Sequence, residues 1–319
     1  MKRAPMASRL PLLLIALAAA AFSTGRAAER ITRAAFSVGH GATLKVDTYR
    51  GSIDVQEATD GQIHIEGHVD PGVDDPVKSE QMLQRLQLEI RQEGNTVSIV
   101  QRNPRETGVR FVWENPEDVV IYYVLQVPPG CNVDLATNGG GITVGNLTGS
   151  VDARAKNGSI FLRRIDGSIH ASTEGGDIVV SHCVGSVVLK ALLGGIRIGT
   201  VTGHAELHAT NGDIEVQHAL GGLNASTEMG DVTAAFPAAF NRDSSVKTNG
   251  GAITVRIDPA AHCSIQASSI WGKVRTTLPI AVDSGGNEKR KLAGRLNGGG
   301  ALMVIHADGG QVHIDAPKS

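Results

Sequence analysis

The sequence predicts an all-β fold, a single-stranded parallel β-helix or β-solenoid, and a short internal repeat is the first observation behind this prediction. Residues 132–239 align with themselves six times at a period of 18 residues without a gap. The ninth residue of every unit is Gly, and the eleventh is Ile or Val. We number positions 1 to 18 within each unit. The units are 132–149, 150–167, 168–185, 186–203, 204–221 and 222–239.

The second observation is the alternation of residue types within each unit. Positions 2, 4 and 6 are mostly apolar or small, and the residues between them are mostly polar. Positions 11 and 13 repeat the pattern, as Ile196 and Ile198 show. A period of two predicts two strands per unit, each with one buried face.

The third observation is glycine at fixed places. Gly or Asn is frequent at position 8, which predicts left-handed turn conformations there. The Gly at position 9 predicts a tight corner where a Cβ would clash, and Gly at position 18 predicts a second corner. A helical repeat is disfavoured, because each Gly would cost roughly 1 kcal/mol in a helix interior.

One unit cannot bury its own apolar face, so successive coils must stack about 4.8 Å apart in parallel. We count about ten coil-like units, including looser ones at 43–60, 243–260, 264–281 and 302–316. Only 3% of the residues are aromatic, which fits a narrow interior filled by Val, Ile, Leu and Ala. We favour a right-handed coil, because the hexapeptide rhythm typical of left-handed ones is absent.

Residues 1–27 are predicted to be a secretory signal peptide, with a basic start, an apolar core at 10–21 and a small-x-small ending at 25–27. A retained membrane anchor is the alternative, although about twelve apolar residues are short for a bilayer. Cleavage would remove four basic residues and no acidic one, so the net charge of −2 would become −6. A chain with this negative net charge lacks the overall basic character that is typical of nucleic-acid-binding proteins. No transmembrane segment is predicted in the mature chain, which would be periplasmic, surface-exposed or secreted.

Residues 28–130 are predicted to hold N-terminal coils and an irregular capping excursion, continuous with a regular solenoid over 131–319. Within the excursion we expect a strand at 62–69, a short helix at 78–86, a hairpin around Gly94-Asn95 and a strand at 119–127. The polar stretch 103–115 is expected to be a loop with Phe111 and Trp113 as anchors. The Gly-rich basic stretch 283–295 is expected to be a mobile loop.

The run from Val119 to Val144 resembles a bacterial family of "putative adhesin" domains, catalogued as a domain of unknown function. The shared pattern is a strand, Val-Pro-x-Gly, a second strand, and Thr-Asn-Gly-Gly before Ile-x-Val. Later units at 155–160, 209–214 and 247–253 are similar, so the resemblance covers roughly 40–316. It implies a β-helix in an envelope or secreted protein, and no activity, cofactor or catalytic residue.

Two sets of side chains suggest chemistry, and each has a structural interpretation that we favour. Asp177, Asp213 and Asp231 share position 10 and could hold calcium, but Asp in turns commonly accepts backbone hydrogen bonds. Asp134, Asp152 and His170 share position 3 beside Arg154, as in polysaccharide-cleaving sites. The two carboxylates would lie about 5 Å apart, close to the spacing in retaining glycosidases. Because the turns are too tight to build a groove, we expect a solvated charged face.

The remaining reactive residues predict no site. His182 and His218 share position 15 but lie two coils apart, about 10 Å, and no compact ligand set accompanies them. Cys131, Cys183 and Cys263 form no spaced pair, and Cys183 at position 16 is expected to be a buried thiol.

Apolar residues at positions 7 and 8 are the one candidate interaction site. Polar or Gly residues are the norm there, so the hypothesis is an apolar edge that receives a partner, and the alternative is that the excursion or the 283–295 loop covers it. We call these residues the turn edge: Leu192, Leu193, Met229, Ile270 and Trp271.

The sequence therefore predicts an exported, non-enzymatic, adhesin-like binding or structural module of the cell envelope. The expected partner is a cell-surface glycan or an envelope protein, with no cofactor and no metal. Two alternatives stay open at this point: an envelope-stress sensor or accessory protein, and a carbohydrate-active β-helix enzyme that uses Asp134, Asp152 and His170.

Overall fold

The computed structural model describes residues 30–73, 75–84, 86–102 and 119–317. The predicted signal peptide and the predicted loop at 103–115 lie outside these residues. The described part contains one helix, α1 (Pro76–Gln84), and 27 strands. The strands are β1 (Arg30–Ser37), β2 (Thr43–Thr48), β3 (Ile53–Glu57), β4 (Gln62–Asp70), β5 (Gln87–Glu93), β6 (Thr96–Arg102), β7 (Val120–Val127), β8 (Asn132–Gly139), β9 (Ile142–Val144), β10 (Val151–Asn157), β11 (Ile160–Ile165), β12 (Ile169–Thr173), β13 (Ile178–Cys183), β14 (Val187–Ala191), β15 (Ile196–Val201), β16 (Ala205–Ala209), β17 (Ile214–Ala219), β18 (Leu223–Thr227), β19 (Val232–Phe236), β20 (Ser244–Thr248), β21 (Ile253–Ile257), β22 (Cys263–Ser269), β23 (Val274–Thr276), β24 (Ala281–Glu288), β25 (Lys291–Leu296), β26 (Ala301–Ala307) and β27 (Val312–Asp315).

The chain is a β-solenoid, as the repeat predicts. Each coil gives one strand to a 14-stranded sheet and the next to a 13-stranded sheet, and coil-to-coil pairing is parallel. The register is one repeat unit, since Val151 pairs with Ile169 and Ile160 with Ile178. Positions 2, 4 and 6 point inward, as the buried-exposed alternation of β10, β12 and β14 shows. The apolar residues form one continuous core between the sheets.

The position-9 glycines stand in a single column along the rod. A Cβ on any of them would lie under 3.0 Å from a backbone carbonyl of the neighbouring coil. The column contains Gly51, Gly140, Gly158, Gly176, Gly194, Gly212, Gly230, Gly251, Gly310 and Gly272, in the order of stacking. A second column at position 18 behaves in the same way, with Gly149, Gly167, Gly185, Gly203 and Gly221. The predicted clash is confirmed, and the clashing partner is the next coil.

The left-handed turns predicted at position 8 are wrong. None of the position-8 residues Gly139, Asn157, Gly175 and Asn211 has a positive φ. The turn instead continues the ladder between coils, because residues 192 and 193 donate backbone N–H groups to the carbonyls of residues 173 and 174. The corner therefore bends without a left-handed residue at position 8 and keeps its hydrogen bonds to the neighbouring coil.

The coils do not stack in chain order at either end. The last coil, β26–β27, lies between the coil β20–β21 and the coil β22–β23. At the other end, β6–β7 lies outside the first coil, β2–β3, which itself pairs with β8–β9. Eleven coils with a strand in each sheet are present among the described residues, close to the ten predicted.

Antiparallel strands finish both ends of the stack. At the N-terminal end, β4 and then β1 pair along the edge of the 13-stranded sheet, and β5 pairs along the edge of the 14-stranded sheet. This arrangement agrees with the predicted capping excursion. The predicted short helix and the hairpin at Gly94 are confirmed. The mobile loop predicted for 283–295 is wrong, because β24 and β25 form an antiparallel hairpin on β22. The open edge of β22 supplies backbone partners that the Gly-rich sequence alone does not reveal.

Buried hydroxyl groups at position 6 link the coils, a feature that the sequence did not disclose. Each donates a hydrogen bond of 2.8–2.9 Å to the carbonyl of a column glycine. These carbonyls lie inside the turn, where an unpaired acceptor would be costly. The donors are Thr137, Thr173, Thr227, Thr248 and Ser269.

Candidate functional site

All five residues of the turn edge are exposed on one corner of the rod. The exposed fractions are 45% for Leu192, 63% for Leu193, 68% for Met229, 47% for Ile270 and 75% for Trp271. Neither the N-terminal excursion nor the β24–β25 hairpin covers them in the described part of the chain. The backbone beneath them is fixed, since Trp271 donates its backbone N–H to Asp308 and Met229 to Thr210.

The stacking order divides the turn edge into separate apolar points. One coil lies between Leu193 and Met229, which places them about 10 Å apart. Two coils, those of Gly250 and Gly309, lie between Met229 and Trp271, about 14 Å apart. Gly250 and Gly309 place no side chain between Met229 and Trp271. We call this gap the notch, and it has a thioether on one side and an indole on the other.

Polar groups line this notch on its inner side. Position 7 of the two intervening coils is Asn249 and Asp308, both on the turn whose N–H groups bond the preceding coil. The Asp308 carboxylate lies 2.8 Å from the imidazole of His306. An indole face beside amide, carboxylate and imidazole groups can stack on a ring and bind its hydroxyl groups.

A groove of about 610 Å³ runs along the 14-stranded sheet next to the Leu192 end of this edge. Outward side chains of positions 5 and 7 form its walls, including Arg154, Lys156, Lys190 and Glu174. Lys156 and Lys190 form no ion pair with any residue that the structure describes. The groove therefore offers two free ammonium groups beside the apolar Leu192.

The predicted cluster of Asp134, Asp152 and His170 is assembled, but its carboxylates are already paired. Arg154 lies 2.5 Å from a carboxylate oxygen of each Asp, and His170 lies 3.7 Å from Asp152. A shallow depression of about 400 Å³ lies over these residues. A guanidinium that bridges both carboxylates occupies the space between them. This arrangement favours the solvated charged face over the hydrolase site.

The position-10 aspartates bind backbone, as the structural interpretation predicts. Asp177 accepts a hydrogen bond from the N–H of Gly195, Asp213 from Asp231, and Asp231 from Ala252. Each acceptor therefore links its coil to the next. No group of three or more His, Cys, Asp or Glu residues is arranged to hold a metal ion within the described residues.

The three thiols are structural. Cys131, Cys183 and Cys263 are free and buried, with at most 1% of each residue exposed. Burial raises the pKa of each thiol to about 11. Since the thiolate is the reactive form, these cysteines are poor nucleophiles at neutral pH. Cys183 points into the core, as expected from its position in the unit.

Comparison with known proteins gives one family match. Residues 183–315 match the family described as Toastrack DUF4097. No curated protein matches the chain. No helix among the described residues is long and apolar enough to cross a membrane.

Solved structures align with most of the chain at low identity. A putative adhesin from Bacteroides fragilis is 12% identical, with a TM-score of 0.38 over 91% of this chain and 99% of that one. A putative lipid binding protein from Parabacteroides distasonis is 12% identical, with a TM-score of 0.40 over 90% and 97%. A putative adhesin from the same species is 13% identical, with a TM-score of 0.34 over 90% and 98%.

The resemblance to a bacterial domain family of unknown function is thus confirmed by a family match. All five residues of the turn edge lie within the matched segment. Residues 183–315, which include the coils from Val187 to Asp315, are the segment that matches the Toastrack family, DUF4097.

Proposed function

We propose that the chain is an exported, adhesin-like binding module of the bacterial cell envelope, and that the turn edge binds its partner without chemically changing it. The rigid solenoid presents this edge to a cell-surface glycan or to an envelope protein. The observation that carries the proposal is the 75% exposure of Trp271 on a turn whose backbone is bonded to the next coil. An ordered, exposed indole contributes strongly to binding when a partner covers it.

The notch between Met229 and Trp271 supports a glycan as the preferred partner. Its width of about 14 Å, three strand spacings, admits a sugar ring between the two side chains. Asn249 and Asp308 supply hydrogen-bonding groups at its inner side. A partner protein would instead span the separate apolar points and leave few of them exposed.

The test is a glycan array probed with labelled full chain, followed by titration of each positive glycan. Trp271→Ala should weaken binding roughly 30-fold, because loss of a central aromatic contact costs about 2 kcal/mol or more. Phe161→Ala is the matched control, since Phe161 is 48% exposed but lies on β11, away from the turn edge. Equal binding by the wild type and Trp271→Ala would overturn the proposal.

A failed array would leave the envelope protein as partner. The same two variants should then be compared as baits on envelope fractions, where a specific partner is retained by Phe161→Ala and lost by Trp271→Ala. Neither glycan nor protein binding at the turn edge would contradict the proposed function as a whole.

A further inference from the structure

Ser268, His306 and Asp308 form a hydrogen-bonded chain on the outer face of the 14-stranded sheet. Ser268 Oγ lies 2.8 Å from His306 Nδ1, and His306 Nε2 lies 2.8 Å from Asp308 Oδ1. All three residues are half-buried, so solvent reaches them. When Nε2–H is donated to Asp308, the lone pair of Nδ1 faces the serine hydroxyl. A hydroxyl nucleophile, a base and an orienting carboxylate in this order form an acyl-transfer triad.

The interleaved last coil creates this arrangement. Ser268 on β22 and His306 on β26 are 38 residues apart in the chain but are paired neighbours in the sheet. Asp308 follows His306 by two residues, at the turn where β26 ends. The fold thus brings together three residues that show no motif spacing in the sequence.

Two lysines and an apolar residue surround the triad. Lys291 on β25 pairs with Ser268, and Lys247 on β20 pairs with His306, so a lysine lies on the neighbouring strand on each side. Paired residues on one sheet face have Cβ atoms about 5 Å apart. The exposed Ile270 neighbours Asp308 across the ladder. A cation beside the nucleophile can stabilise the negative oxygen that forms when a carbonyl is attacked.

A second serine–histidine pair in the same row lacks the carboxylate. His208 Nδ1 lies 3.0 Å from Ser226 Oγ, again between neighbouring coils. The residue two positions after His208 is Thr210, where the His306 coil has Asp308. The molecule therefore contains the complete triad and a matched pair without its acid.

We infer that Ser268 is a nucleophile for acyl transfer from carboxylic esters. Ser268 Oγ attacks the ester carbonyl while His306 Nδ1 takes the hydroxyl proton, and a tetrahedral oxyanion forms beside Lys291. The bond to the leaving alkoxide breaks, and the proton on His306 passes to it as the alcohol departs. Water, deprotonated by His306, then attacks the acyl-serine and releases the carboxylic acid and the free serine. Asp308 is a positioning residue that holds the imidazole in the required tautomer.

The experiment uses p-nitrophenyl acetate and the full chain. Release of p-nitrophenolate is followed by absorbance, and acetylated residues are located by peptide mass mapping before and after hydroxylamine, which removes acetyl from serine but not from lysine. Wild type should acetylate Ser268, and Ser268→Ala should lower the rate by about 10²-fold, because the attack assisted by His306 is lost with the hydroxyl. Ser226→Ala should leave the rate unchanged.

Two further variants separate chemistry from folding. Asp308→Asn should lower kcat with KM unchanged and leave the melting temperature close to that of wild type. Thr210→Asp adds the missing acid beside His208 and should make Ser226 an acetylation site. Acetylation confined to lysines, or equal acetylation of Ser226 and Ser268 in the wild type, would overturn the inference, and neither result bears on partner binding at Trp271.

Discussion

At the residue scale, glycine at position 9 is required by the neighbouring coil and not by the turn that it occupies. Only Gly51 and Gly140 in the column have a positive φ, at 150° and 148°. For the others, the carbonyl of the adjacent coil occupies the space that a Cβ would need. The repeat itself could be predicted because this steric demand recurs in every unit. The atom that a Cβ would meet could not be predicted, since it belongs to the neighbouring coil and not to the same turn.

Gly194→Ala should therefore destabilise the solenoid by about 1–3 kcal/mol, the usual cost of overpacking. The new methyl group would meet the backbone of Gly176, which cannot move without breaking the ladder. Gly175→Ala is the control, because its nearest atoms would lie at 3.4 Å or beyond and its φ is not positive. Urea denaturation followed by circular dichroism gives both midpoints. Similar midpoints for the two variants would contradict the column as the cause.

The buried thiols predict a pH dependence of stability in the alkaline range. Burial raises the pKa of all three from 9.0 to about 11, so the unfolded chain loses these protons before the folded chain does. The stabilisation is present below pH 9 and is lost as the pH rises toward 11. The triple variant Cys131→Ala, Cys183→Ala, Cys263→Ala should show a smaller decrease in unfolding free energy between pH 8 and pH 10. Equal slopes for the two proteins would show that other groups cause the decrease.

The site residues show the same limits of prediction. Exposure of Trp271 and Leu193 follows from their place at a turn, and the sequence located both. The hydroxyl of Thr173 at an inward position was interpreted as a small core residue, because only the three-dimensional stack reveals its acceptor, the carbonyl of Gly158. The surroundings of the Tyr123 hydroxyl were equally hidden from the sequence. This hydroxyl is buried near Thr48 and has no partner of good hydrogen-bond geometry among the described residues.

At the element scale, every coil carries nearly the same pattern, so the pattern does not specify which coils are neighbours. The strands β20, β22 and β26 are interchangeable in apolar alternation, and chain order predicts the sequence of stacking 20–22–26. In the structure the order is β20–β26–β22, so β26 lies between two strands that precede it in the sequence. The hairpin β24–β25 was missed for the same reason, because its pairing depends on the free edge of β22.

Amide hydrogen exchange should reveal this interleaving. The amides of β26 are enclosed between β20 and β22 and should exchange as slowly as those of β16. Exchange of peptides covering 301–307 and 205–209 can be compared by mass spectrometry in one sample. Rapid exchange of 301–307, with 263–269 protected, would show that β22 stacks directly on β20.

At the scale of the whole molecule, the rod is a stack of equally spaced coils, and the strand edges of its terminal coils must be covered. Eleven coils at about 4.8 Å give a stack of roughly 50 Å. A bare terminal coil would expose a row of unpaired backbone groups, which pair readily with other chains. Antiparallel strands close the 14-stranded sheet at both ends, β5 on β6 and β25 on β22. The caps keep the rod finite, and the exposed turn edge along its side stays available for a partner.

Deletion of residues 281–296 removes the hairpin β24–β25 and should make the chain associate end to end into species of higher mass than the intact chain forms. The outer edge of β22, seven residues long, would then be free to pair with a second chain. Size-exclusion chromatography with light scattering, over a range of protein concentrations, measures the change in mass. The matched variant adds Gln266→Lys to the deletion, because a lysine at this exposed position opposes edge pairing and should restore the mass of the intact chain. If the deletion variant has the same mass as the intact chain at every concentration, the hairpin is not what limits the length of the rod.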